Sequence, residues 1–148
     1  GRGPGRGDLV IAGDEARIGD GHLNFGQLPG AGNSVRLWRA VGTIRAKQLM
    51  LTGELLSAHD AAAMGLVGNV VPQGQLLQAA AALVAQLHQK APAGLAGAKK
   101  LLNTAVRLDL ENALRAEIAF VQKYATTEPD AREGLMAFRD KRKPSYAA

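Results

Sequence analysis

The chain has no cysteine, which excludes disulfides and thiolate metal centres and suits a reducing, cytoplasmic setting. Aromatic residues make up only 4% of it, so any core must be assembled from Leu, Val, Ile and Ala. No apolar run is long enough to span a bilayer and no secretory leader pattern is present, so no membrane partner is expected. The three histidines, at 22, 59 and 88, lack ligand-like spacing, and no metal site is expected. Acidic residues are the scarcer sign, 13 against 18 Lys and Arg. That excess of five positive charges does not point to nucleic acid. The bases are scattered, Lys141-Arg142-Lys143 is their one cluster, and no aromatic stacking platform accompanies it. What is present is one domain's worth of chain, 148 residues with 47% hydrophobic content.

Gly1-Arg2-Gly3-Pro4-Gly5-Arg6-Gly7 carries nothing that packs a core and is expected to be flexible. Asp8–Ala12 reads as a buried strand and Arg17–Gly19 as a short second one. Asn33 or Ser34 is placed to cap a helix that Gly42 ends, and Thr43 opens a helix that Gly53 stops. Ser57 and Asp60, three residues apart, form a capping-box-like start to a short helix closed by Gly65. Leu66–Val71 alternates as a strand and Pro72 ends it. From Leu76 the apolar period becomes 3.6, with Leu76, Leu77, Ala80, Leu83, Val84 and Leu87 on one face. Pro92 breaks this helix. Further helices are predicted through Leu95–Ala105, Leu110–Ala125 and about Asp130–Arg142. The order is a small strand-containing front and a helical back half.

One string carries more information than the rest. Ala16-Arg17-Ile18-Gly19 runs through a turn to Pro29-Gly30-Ala31-Gly32 and then to Arg36-Leu37. A Gly-rich loop that opens a helix aims backbone N–H groups outward, where they can hold a carbonyl oxygen, a phosphate or a polarised water. Behind it, in order, come Leu49-Met50-Leu51-Thr52-Gly53, Ser57-Ala58-His59-Asp60-Ala61, Gly65-Leu66-Val67 and Val70-Val71-Pro72. The tail has Arg132 to Phe138 followed by Lys141-Arg142-Lys143. The series resembles the enoyl-CoA hydratase/isomerase (crotonase) family over roughly positions 8 to 146.

The resemblance implies an α/β, crotonase-like spiral, truncated at its N-terminus, with a mostly helical C-terminal half. It divides the chain into a tip at 1–7, the end of the β-β-α core at 8–72 and a C-terminal helical oligomerisation region at 73–148. It also implies an acyl-CoA thioester as partner, enolate chemistry in fatty acid metabolism, of lyase or isomerase type, and a homo-oligomer, a trimer or a dimer of trimers. No separate cofactor is implied, because coenzyme A arrives with the substrate. The family's first carboxylate falls by spacing on Arg2, so no function is carried onto the tip. Its second carboxylate falls on His22, an imidazole able to act as acid or base near neutral pH. Gly30 matches the position whose backbone N–H helps hold the reacting water, and Phe138 and Lys141 match residues that pack adenine and pair a coenzyme A phosphate. Each has a plainer explanation: a loop histidine, a turn glycine, a core phenylalanine, a solvated lysine. Hydration, isomerisation, hydrolysis and decarboxylation share the thioester-enolate site, and a fold does not choose among them. The resemblance implies an acyl-CoA-binding fragment of the full enzyme, expected to be inactive alone. In the family two backbone N–H groups form an oxyanion hole for the thioester, and one comes from an earlier segment. The alternative is a non-catalytic truncated remnant that acts only through oligomerisation or weak coenzyme A binding.

Overall fold

The computed structural model describes residues 7–146, so the readings placed on Gly1–Arg6, Arg2 among them, lie outside the described residues. The chain divides into two compact units, the first ending at Ala82 and the second starting at Leu83.

The first unit contains β1 (Ile11–Gly13), β2 (Arg17–Gly19), α1 (Asn33–Val41), α2 (Thr43–Thr52), β3 (Leu55–Ser57), α3 (Ala58–Ala63) and β4 (Asn69–Val71). Single 3₁₀ turns lie at His22–Phe25 and Gln73–Gln75. β1 pairs in parallel with β4, Ala12 opposite Val70, and β2 pairs antiparallel with β3, Ile18 opposite Leu56. The first strand starts later than the apolar run at Asp8–Ala12 suggests, because its register is set by β4: Asp14 N–H donates to Val71 O at 2.8 Å and Gly68 N–H to Val10 O at 2.9 Å. The strand expected over Leu66–Val71 is shortened for a similar reason. Leu66 N–H reaches back to Ala61 O at 2.9 Å to close α3, leaving only Asn69–Val71 to pair.

The helix limits follow local chemistry. Gly42 separates α1 from α2, and Ser57 caps α3, its Oγ accepting from Asp60 N–H at 3.1 Å while donating to Asp60 Oδ2 at 2.6 Å. Gly53 ends α2 at φ +65°, and a Cβ there would collide with the amide of Asn24, which donates to Gly53 O at 3.0 Å. That bond ties the His22–Phe25 turn to the end of α2. The core between these elements is small and aliphatic: Leu37, Ala46, Leu49, Leu56, Ala61 and Val67 are buried together.

The second unit is helical. α4 (Leu76–Leu87) crosses the division, and α5 (Pro92–Ala105), α6 (Leu110–Thr127) and α7 (Pro129–Arg139) follow. Pro92 and Pro129 occupy first helical positions, where a missing N–H costs nothing, and Asp109 caps α6 by accepting from Asn112 N–H at 2.9 Å. Gly97, buried on α5, lets Phe120 of α6 approach to where a Cβ would stand 3.1 Å from its ring. The expected apolar face of α4 is only partly covered: Leu76, Leu83 and Leu87 are half-buried, whereas Leu77 and Val84 are exposed. Among the described residues no helix is long and apolar enough to cross a membrane.

The tail beyond α7 is held by an ionic fork. Arg142 donates to both Glu133 oxygens, at 2.6 and 2.9 Å, and Ser145 N–H adds a third bond at 2.7 Å. The Arg142 guanidinium first, and the Ser145 N–H second, hold the Glu133 carboxyl at about 2, down from its ordinary 4.5. A carboxyl depressed by folding stabilises the folded form above its unfolded value and ceases to do so as the pH falls through its folded value. Protection of the Ser145 amide from hydrogen exchange is therefore expected to weaken between about pH 4.5 and 2. In Glu133→Gln that pH dependence disappears. An unchanged profile in the variant would dismiss the fork as its cause.

Candidate active site

Asp20 follows directly on β2, and the pairing of that strand with β3 carries it inward: it is 2% exposed. The chain then turns through Gly21 into the 3₁₀ turn that His22 begins. His22 Nδ1 lies 2.6 Å from Asp20 Oδ1, and the His22 backbone N–H donates to the same oxygen at 3.1 Å. Asp20 Oδ2 accepts from Asn33 Nδ2 at 2.9 Å. Among the described residues no buried side-chain nitrogen or oxygen lacks a partner, so this cluster is fully satisfied. The His22 side chain retains 42% of its exposure, so the ring is anchored at one nitrogen and open elsewhere.

Burial alone pushes the Asp20 carboxyl up. Hydrogen bonds from the His22 ring, the Asn33 amide and the His22 backbone N–H together outweigh it and hold the carboxyl below its ordinary value. A buried carboxylate with three donors is an ionised acceptor, and its nearest cation-forming neighbour is the imidazole.

Asn33 does not cap α1. Ala31 and Gly32 take left-handed φ, 53° and 87°, so Gly32 is the N-cap and Asn33 is already helical, with its amide turned to Asp20. The same two residues place Gly30. Its own φ is not positive, and an added Cβ would meet nothing nearer than Leu28 O at 4.0 Å. Among the described residues neither a left-handed φ nor a close contact marks Gly30. Its carbonyl accepts from Asn33 N–H at 3.0 Å, so Gly30, Asn33, Asp20 and His22 form one hydrogen-bonded chain.

Phe138 and Lys141 belong to the second unit. Phe138 is 86% exposed at the end of α7, so it is not a core residue of that unit. Lys141 takes φ +51° and is exposed. Arg142 N–H donates to Ala137 O and Lys141 N–H to Phe138 O, so the backbone of Lys141 closes α7 as a left-handed cap. His59, on α3, and His88, just beyond α4, are exposed. Among the described residues no three His, Asp or Glu side chains group to hold a metal ion.

The spacing singles out His22 and Gly30 as candidates but not Asp20 and Asn33, which the structure joins to His22. An acid two residues before a histidine was visible, but nothing in the spacing marks it as buried or joins it to a residue thirteen positions on.

Residues 6–148 match the family model for enoyl-CoA hydratase/isomerase. The 2,3-dehydroadipyl-CoA hydratase of Escherichia coli is 36% identical over 139 residues, 94% of this chain and 54% of that protein. The solved enoyl-CoA hydratase of Bacillus anthracis overlays with a TM-score of 0.87 at 34% identity, covering 94% of this chain and 54% of the other. That of Mycobacterium smegmatis gives 0.87 at 32% identity, with 94% and 53% covered. The chain spans about half the length of the curated relatives it matches. These overlays bear out the crotonase-like fold, and with the match over residues 6–148 they place the chain in the enoyl-CoA hydratase/isomerase family.

Proposed function

We propose that the protein acts on an acyl-CoA thioester, moving a proton to or from the acyl chain next to the thioester carbonyl, with His22 as the acid/base group. The observation that carries this reading is the exposure and anchoring of His22, which by spacing falls on the family's second carboxylate position. The ring is half-exposed and anchored by a buried carboxylate. Imidazole is a general acid and base, and proton transfer by a positioned side chain is worth about 10²–10⁴-fold in rate. Gly30 supports the same reading, since the absence of a side chain leaves space beside a backbone group suited to holding water. The names of the relatives favour addition of water to an enoyl-CoA over the family's other enolate reactions.

Phe138 and Lys141 would hold the nucleotide end of coenzyme A, Phe138 by stacking and Lys141 by pairing a phosphate. Both side chains stand in solvent, as such roles need. No separate cofactor is called for. A homo-oligomer, trimeric or a dimer of trimers, would cover apolar side chains such as Ile44, Leu77 and Leu102, which are exposed in this chain. The cysteine-free composition fits a cytoplasmic setting.

The test is turnover by the protein as its cell makes it. Incubated with a 2-enoyl-CoA in D₂O, it should consume the conjugated thioester and give a 3-hydroxyacyl-CoA that carries deuterium at the carbon next to the thioester. Deuterium uptake with no hydration would keep the proton-transfer role and reject hydration. Neither product, with coenzyme A binding absent or weak, would establish the non-catalytic alternative.

A further inference from the structure

Three donors surround the two oxygens of Asp20, and only one of them is a ring nitrogen of an imidazole. Asn33 Nδ2 occupies Oδ2 at 2.9 Å, and the His22 backbone N–H fixes Oδ1 from the main chain at 3.1 Å. The carboxylate therefore cannot rotate without losing a bond at both oxygens. At 2.6 Å from Oδ1, His22 Nδ1 must be the atom that carries the hydrogen, because an ionised carboxylate has none to give. The chain is directional: the Asn33 amide donates to Asp20, the imidazole donates to Asp20, and the second ring nitrogen remains as the available acceptor.

We infer that Asp20 is a positioning residue, oriented by Asn33, that fixes neutral His22 as its Nδ1–H tautomer and so leaves Nε2 as the ring atom that takes up a proton and passes it to or from the substrate. The inference rests on the acid/base role proposed for His22 but names what makes that role possible. It also explains why an imidazole can stand where the family places a carboxylate. A carboxylate is a base at either oxygen, whereas a neutral imidazole is a base at one nitrogen only, and the wrong tautomer presents a donor in its place. Asp20 does not touch the substrate in this arrangement. It acts through the ring.

The tautomer is read directly by long-range ¹H–¹⁵N NMR of protein labelled in its histidine rings, where only three histidines require assignment. Wild-type His22, in its neutral form, should show the hydrogen on Nδ1, with a proton resonance far downfield from its carboxylate partner. Asp20→Ala should return much of the population to the Nε2–H form. The same variant should lower kcat by about 10²-fold, with KM changed by less than about twofold. If Asp20→Ala does not fold, Asp20→Asn keeps the volume, and the downfield resonance should then move upfield or vanish. A wild-type His22 protonated at Nε2 when neutral would overturn the inference. So would a resonance that stays in place in Asp20→Asn. The spectrum does not depend on turnover, so a wild-type Nδ1–H tautomer in a protein inactive on acyl-CoA would reject the acid/base role while leaving the Asp20 anchor standing.

Discussion

Leu49→Ala is expected to lower the unfolding free energy by about 3–5 kcal/mol, the upper part of the range for truncating a buried leucine. Leu49 lies on the inner side of α2 and is 2% exposed, the largest fully buried side chain among the described residues. The cost of such a truncation depends on how far its neighbours can relax into the space. Several of the residues buried with it (Ala12, Ala46, Ala58 and Ala61) are alanines, which have no rotamer that reaches further. The alanine side of the hole is therefore expected to stay open, with relaxation confined to neighbours such as Leu37, Leu56 and Val67. Urea unfolding of the full polypeptide, followed by a probe in the first unit, should show a lower midpoint with an unchanged slope. A loss below about 1 kcal/mol would mean that the site collapses and that this core is softer than its burial suggests. The effect should also reach the site, because the end of α2 holds the His22–Phe25 turn through Asn24 and the Gly53 carbonyl.

What could be read from the residues differs between elements for physical reasons. α2 was legible at both ends because Gly42 and Gly53 punctuate it, and α3 because Ser57 and Asp60 form their cap within four residues. β2, predicted over Arg17–Gly19, forms over those residues. Its partner β3 was not foreseen. Leu55–Ser57 is three residues long, too short for any alternation to show, and becomes a strand only because β2 lies beside it. Asn33 shows the same limit at a functional position. Its residue type favours a helix cap, but the left-handed Ala31 and Gly32 advance the helix start by one residue and free its amide for Asp20. Local signals mark helix ends well. They do not report which buried acid a side chain will meet across the fold, and the centre of the site is made of such meetings.

The corresponding test of the site is His22→Gln. Glutamine is close to histidine in size, and its amide can still donate to Asp20 Oδ1, so the buried carboxylate keeps its partners on Asn33 and on the backbone N–H of residue 22. Because the histidine side chain is 42% exposed, its replacement leaves no closed cavity. Stability should change by no more than about 0.5 kcal/mol, as for surface substitutions generally. Turnover of acyl-CoA should fall by about 10²–10⁴-fold in kcat, since an amide has no proton to exchange near neutral pH. Stability and rate thus separate the two roles of the ring. If turnover survives within tenfold while stability drops by more than about 1 kcal/mol, the imidazole is a clamp on a buried acid and the proton moves through another group. If kcat collapses and stability holds, the clamp is replaceable and the basic ring nitrogen is not. Asp20 would then be buried for the sake of the ring that it holds, and not the ring bound for the sake of Asp20.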